Sequence, residues 1–355
     1  MQSNAAVALH LHTSCADKHS WMLTRSDLDR RQLLGLALPA ALPAALPAAL
    51  PAALPAALPA ALPSVLPRPA LAAGPSEWPL VGLGTCCEEA SDVADHVAAG
   101  VSAGYRLIDT AAHYPGESGV GDALAALEAS GAVRQGEVMT VTKVWFDDMG
   151  YEPALASARR SLQRLRRDRL DVLLIHFPGS PDVMQEPKRN RQLRAETWRA
   201  LETLQADGFV RTIGVSNWSR RHLREMLGSA TTRVPPQVLQ TEVHPLLQQR
   251  ELRDDCAAAG VRVMGHCPLA HGAASLLEHP TLTRIGTARG RSPAQVALRW
   301  AVQRDVLPVP HASSAARLRE NLDGALGFEL SADELAQVDA MDAGERVSFD
   351  PRLIA

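Results

Sequence analysis

From Trp78 onward, short apolar runs alternate with amphipathic stretches. The runs cover residues 80–84, 105–110, 138–145, 170–177, 210–217, 238–244, 261–268 and 306–311. Each is near-continuously apolar rather than alternating, which is the pattern of a strand buried on both faces of a parallel sheet. Between them, apolar residues recur at helical spacing: Val120, Ala123, Leu124 and Leu127, then Leu155, Ala158, Leu162 and Leu165. Further helices are expected over 194–205, 220–227, 249–259, 292–303 and 315–326. Ser331, followed three residues later by Glu334, opens a last helix with the spacing of a capping box. Eight strand–helix units in residues 75–355 predict one α/β domain, a (β/α)8 TIM barrel. The competing arrangement, an open doubly wound sheet, wants a glycine-rich phosphate loop after an early strand. Gly82-Leu83-Gly84 lacks the third glycine and runs into Thr85-Cys86-Cys87.

Residues 1–74 differ in kind. From 38 to 63 the chain repeats Leu-Pro-Ala-Ala, and from 33 to 67 it carries no charge. That length suits a membrane helix. However, proline at every fourth position removes a helix donor and clashes with the preceding turn. A polyproline-like or disordered segment is the better expectation. Arg30-Arg31 precede the apolar stretch, and Ala70-Leu71-Ala72 follow it with small-x-small spacing. The order is similar to a twin-arginine export signal, with residues 1–29 as a transit peptide ahead of it. Residues 1–74 are therefore expected to be a presequence, cleaved on delivery to a chloroplast or other organelle. The alternative is a retained low-complexity tail on a cytoplasmic protein.

The charge total changes the picture little. A net charge of -3 over 355 residues offers no electrostatic footprint for nucleic acid or an acidic membrane. The mature chain is expected to be a monomer without membrane contact. Cys15, Cys86, Cys87, Cys256 and Cys267 have neither zinc-site nor disulfide-framework spacing. Neighbouring side chains such as Cys86 and Cys87 diverge in a strand, so all five read as thiols and no metal site is expected.

The candidate chemistry lies at strand ends, where barrels of this kind carry catalytic groups. Asp109 ends the second run, Lys143 and His176 sit near the ends of the third and fourth, and Tyr114 follows five residues after Asp109. A lysine is almost never buried without a partner, and Asp109 on the adjacent strand is its natural counter-charge. The pair alone is consistent with a purely structural ion pair. Tyr114 adds a reason for chemistry. A phenol near pKa 10 is a poor acid at neutral pH, and a nearby ammonium lowers that value. Tyr114, Lys143 and Asp109 thus read as a tuned general acid, with His176 orienting a carbonyl.

Asp109-Thr110-Ala111-Ala112-His113-Tyr114 resembles the signature of the aldo-keto reductases, and the resemblance extends over 78–351. It is carried further by Val141-Thr142-Lys143-Val144-Trp145, Leu173-Leu174-Ile175-His176-Phe177-Pro178, Gly214-Val215-Ser216-Asn217, Gln240-Thr241-Glu242-Val243-His244-Pro245 and Arg317-Leu318-Arg319-Glu320-Asn321. The resemblance implies an NAD(P)H-dependent enzyme of the NADP alcohol dehydrogenase type, reducing a small-molecule aldehyde or ketone with Tyr114 as proton donor. It further implies NADPH as cofactor, with NADH possible. Ser216, Asn217 and Gln240 would hold the nicotinamide carboxamide, Arg317 the 2′-phosphate and Asn321 the adenine. Trp145, His176 and Cys86 would line the substrate pocket. The rival reading is a cofactor-binding regulatory or sensor subunit with little turnover.

Several positions depart from the family pattern. His266-Cys267-Pro268-Leu269 replaces Tyr-Ser-Pro-Leu, so His266 offers less ring area to stack on the nicotinamide, with Cys267 and Leu269 beside it. His311-Ala312 replaces Lys-Ser at the 2′-phosphate. Cys86 stands where many members carry tryptophan. The tail after Met341 is too short for a long loop to close the pocket, which points to permissive substrate choice. Residues 179–193 are expected to be a long substrate-side loop.

Overall fold

The computed structural model describes residues 78–86, 88–312 and 314–355. The expectations for 1–74, and for Cys15 and Cys87, fall outside them. Eight strands appear in chain order: β1 Leu83–Gly84, β2 Leu107–Asp109, β3 Met139–Val144, β4 Leu170–Ile175, β5 Val210–Ser216, β6 Val238–Glu242, β7 Arg262–His266 and β8 Val306–Pro308. Consecutive strands pair in parallel, in the order β1 to β8. The Gly82 and Gly84 amides donate to the Pro308 and Pro310 carbonyls at 3.0 Å, closing the sheet into a barrel. A side chain at that seam would be crowded, because a Cβ on Gly84 would stand 3.0 Å from the Val309 carbonyl oxygen.

Helices follow each strand: α1 Ala90–Ala103, α2 Glu117–Ala129, α3 Tyr151–Arg164, α4 Pro187–Ala206, α5 Arg220–Leu227 and α6 Arg250–Ala258. Then come α7 Ala274–Leu277, α8 Pro280–Arg289, α9 Pro293–Gln303, α10 Ala315–Leu326 and α11 Ala332–Asp339. The Ser331 and Glu334 capping box forms as the spacing predicts. Three helices were not legible: α1, α7 and α8. In α1 the apolar face is short, made by Val93, Val97, Gly100 and Val101 within an alanine-rich stretch. The expected long loop at 179–193 is also corrected. After the turn Pro181–Val183, α4 begins at Pro187, a residue suited to the first helical turn.

Inside the barrel, Leu107, Met139, Val141, Val172, Leu174, Val238, Met264, Leu307 and Val309 pack as one cluster, with Trp78 against it. Side chains two residues apart on a strand share a face. Two residues beyond members of that cluster stand Asp109, Lys143, His176, Gln240, His266 and His311. The inward faces therefore pass from an apolar plug to a polar rim at the strands' C-terminal ends.

Candidate active site

Three strands, β2, β3 and β4, bring the expected catalytic residues together. Lys143 Nζ donates to Asp109 Oδ2 at 2.8 Å and to the Thr110 carbonyl at 2.9 Å, and the lysine side chain is 1% exposed. Gln240 Nε2 donates to the other Asp109 oxygen at 2.6 Å. Asp109 is thus a shared acceptor, consistent with the rule that buried charges persist when paired and hydrogen-bonded. Lys143 Nζ lies 5.1 Å from the Tyr114 ring centre. The Tyr114 and His176 rings meet edge to face at 5.8 Å.

The loop that carries Tyr114 is braced from below. Glu117, buried at the start of α2, accepts from Thr142 Oγ1 at 2.5 Å and pairs with Arg164. The Tyr114 amide donates to the Ala111 carbonyl at 3.0 Å. These bonds tie the phenol-bearing turn to β3 and α3.

One expectation is reversed. Burial pushes the Tyr114 phenol well above its ordinary pKa, and the neighbouring Cys86 and Asp109 push the same way. Lys143 lies against the ring but does not outweigh the burial. Cys86 is hydrogen-bonded to Tyr114, and burial raises its thiol to about 11 against the opposing pull of Lys143 and Tyr114.

At the β5–β7 rim, Asn217 adopts a left-handed backbone with φ 56. Its Nδ2 donates to the His176 carbonyl at 3.1 Å, and its Oδ1 lies 2.8 Å from His266 Nε2. Burial lowers His266 to about 3, against the opposing pull of Glu242, so the imidazole is neutral and donates from Nε2. Its Nδ1 lies 3.3 Å from Cys267 Sγ, which in turn lies 3.3 Å from His271 Nε2. Ser216, Asn217 and Gln240 are buried together, while His266, Cys267 and Leu269 stay partly accessible beside them.

The residues expected at the adenosine end lie on α10 and just after β8. Arg317 is exposed on the first turn of α10, which Ser314 caps, and Asn321 is buried one turn further on. His311 is instead engaged with Glu88, which also accepts from His96 Nδ1 at 3.0 Å. Burial raises the Glu88 carboxyl, but the bonds from His311 and His96 outweigh it and bring the value to about 2.

An aromatic wall leads away from His176. Trp145 contacts it edge to face at 5.0 Å, His113 stacks on Trp145 at 3.8 Å, and Phe177 meets Trp145 at 5.6 Å. Phe349, from the C-terminal tail, meets Phe177 at 5.5 Å. The tail was expected to leave the pocket open. It instead crosses the rim, because fully buried Glu242 clamps it. That carboxylate accepts from the Val347 and Ser348 amides at 2.7 and 3.1 Å, from the Ser348 hydroxyl, and from Arg346 Nη1 at 3.1 Å. Further on, the Ile354 carbonyl meets His222 Nε2 at 3.0 Å. Sequence reading missed Glu88, Glu242 and Phe349. The one signal for Glu242 was an acid at the end of a buried strand.

A closed parallel barrel whose polar rim joins a phenol, an ammonium–carboxylate pair and an imidazole defines a barrel oxidoreductase. Residues 82–343 match the model of the Aldo/keto reductase family, and the chain belongs to that family. It is 41% identical over 276 residues to a glyoxal reductase of Bacillus subtilis strain 168, covering 78% of this chain and 93% of that one. It is 37% identical over 275 residues to a 9,11-endoperoxide prostaglandin H2 reductase of Trypanosoma cruzi, covering 77% and 91%. Among solved structures it is similar to MGS-M4, an aldo-keto reductase from a deep-sea metagenome library. That likeness has a TM-score of 0.69 and 32% identity, and covers 77% of this chain and 96% of that one. Among the described residues, no helix is long and apolar enough to cross a membrane.

Proposed function

We propose that this oxidoreductase reduces a small-molecule aldehyde or ketone to the alcohol, with NADPH as cofactor and Tyr114 as proton donor. The observation that carries this reading is the grouping of Tyr114, His176 and the Lys143–Asp109 pair on one rim. The residues present suit a nicotinamide at the β5–β6 edge, where a hydroxyl and two carboxamides converge at Ser216, Asn217 and Gln240. At the far end, exposed Arg317 on the first turn of α10 suits a phosphate, since a guanidinium donates two parallel bonds near a positive helix terminus. Bound cofactor supplies the hydride.

The chain's own residues supply position and proton. His176 orients the carbonyl oxygen toward the Tyr114 hydroxyl. Tyr114 is protonated at neutral pH and gives its proton to that oxygen as negative charge develops there. Lys143 stabilises the phenolate left behind, the moment at which a buried cation in a water-poor site is worth most. Trp145 and Phe177, with Phe349 beyond, exclude water and favour an apolar substituent next to the carbonyl. The Bacillus relative's name supports small dicarbonyls among the substrates to test.

The test is steady-state oxidation of NADPH and NADH by the purified full chain against a panel of aldehydes and ketones. Turnover with several aldehydes is expected. Tight cofactor binding with no turnover on any carbonyl would overturn the enzyme reading and leave a sensor.

A further inference from the structure

Where β8 closes on β1, three metal-capable side chains meet that take no part in the proton transfer above, one of them, His311, at the position expected beside the 2′-phosphate. Glu88 follows β1, His96 lies on α1, and His311 follows β8. Their ligand atoms all lie within 4.8 Å of one another. His96 Nδ1 stands 2.8 Å from one Glu88 oxygen and 3.0 Å from the other, and His311 Nε2 faces the first. The two imidazole rings lie 5.3 Å apart, nearly perpendicular. Side-chain exposure rises from 8% at His96 through 16% at Glu88 to 45% at His311, so the cluster has a built floor and one open side.

We propose that Glu88, His96 and His311 form a binding site for one divalent transition-metal ion of the zinc class. Two imidazole nitrogens and a carboxylate are a familiar three-ligand set for zinc, with the fourth tetrahedral position left to water. Metal–ligand distances of about 2.0–2.2 Å require ligand atoms roughly 3–3.5 Å apart. A set already inside 4.8 Å reaches that by small side-chain rotations. In the absence of metal, the carboxylate is the common acceptor for both rings, so a cation takes over a position that protons now occupy. Magnesium and calcium are disfavoured, because they prefer six or more oxygens and this set offers mostly nitrogen. The geometry is inter-segment: the seam of the barrel holds two ligands and the first helix holds the third.

The experiment is isothermal titration of the full chain with Zn2+ in chelator-treated buffer without nucleotide, paired with Mg2+ titration. One Zn2+ per chain is expected, with no heat from Mg2+. Glu88→Gln and His311→Ala, both at accessible positions, should each weaken Zn2+ binding at least tenfold while leaving the melting curve in place. No Zn2+ binding by the unaltered chain would overturn the site. Equal Zn2+ affinity in the unaltered chain and both variants would also overturn it, placing the ion on other ligands of the chain.

Discussion

Lys143 donates to Asp109 at 2.8 Å and stands 5.1 Å from the centre of the Tyr114 ring. The ammonium is held by its counter-ion beside the phenol ring. Burial, with Cys86 and Asp109 acting the same way, lifts Tyr114 above its ordinary pKa. The phenol is a fully loaded proton reservoir at neutral pH. In the proposed reaction, the ion pair acts once the proton has left.

Tyr114→Phe removes that proton while keeping the ring against His176. Loss of a general acid costs roughly 10²–10⁴ in rate. The expected outcome is a fall of that size in kcat for carbonyl reduction, with the cofactor dissociation constant unchanged. Fluorescence titration and steady-state kinetics check the two halves, and wild-type turnover in the variant removes Tyr114 from the mechanism.

Asp109→Ala leaves the Lys143 ammonium buried without its counter-charge. Breaking one side of a buried pair costs about 3–5 kcal/mol. Urea unfolding should show a loss in that range, and activity should collapse with it. Replacing both residues, Asp109→Ala with Lys143→Met, should recover a large part of the stability and none of the activity. A double variant no more stable than the single one contradicts the pair as the source.

The Glu88 carboxylate engages His311, the residue that the family pattern sets beside the cofactor's 2′-phosphate. An anion there opposes a phosphate. Glu88→Gln, assayed in metal-free buffer, should raise the NADPH-to-NADH affinity ratio by about tenfold, equivalent to one charge-assisted contact of about 1.4 kcal/mol. Arg317→Ala should lower the same ratio. Equal ratios across all three proteins would mean that neither residue meets the phosphate.

The C-terminal tail should come loose in acid. His222, buried against the Ile354 carbonyl, has its pKa lowered from 6.5 to about 4, by burial first and then by Arg194 and Arg221. The unfolded chain therefore binds more protons than the native one between those values, so stability falls as pH drops from 6.5 to about 4. One pKa unit is worth about 1.4 kcal/mol, so the loss is roughly 3 kcal/mol. Glu242, held near 2 against an ordinary 4.5, extends the loss below pH 4.5. Chemical denaturation at a series of pH values measures it. His266, lowered to about 3, adds to the slope over the same range, so His222→Gln should reduce the slope between 6.5 and 4 without abolishing it, and an unchanged slope assigns it elsewhere.

Residues 1–74 are read as a cleaved presequence. N-terminal sequencing of protein from its native source should find a first residue between Ala72 and Pro75. A chain that still starts at Met1 makes the repeat a retained tail.

The sequence by itself determined the periodic structure and the chemistry that sits on it. Strands buried on both faces must be apolar throughout, so each of the eight was visible where it occurs. A lysine and an acid at the ends of adjacent strands announced their pairing, and the Ser331–Glu334 cap is local enough to read from four residues. The alanine-rich α1 was harder to see, because alanine packs against a barrel without marking a face. Tertiary structure alone decided the through-space partners. Glu88 and His311 are 223 positions apart, and they meet because β8 closes on β1. Glu242 holds Ser348 from 106 positions away and so brings Phe349 to Phe177. The direction of the Tyr114 shift was likewise hidden, because it depends first on how deeply the fold buries the phenol. Residue spacing along a strand says that charges are near one another, whereas the fold determines which pair is close enough to neutralise.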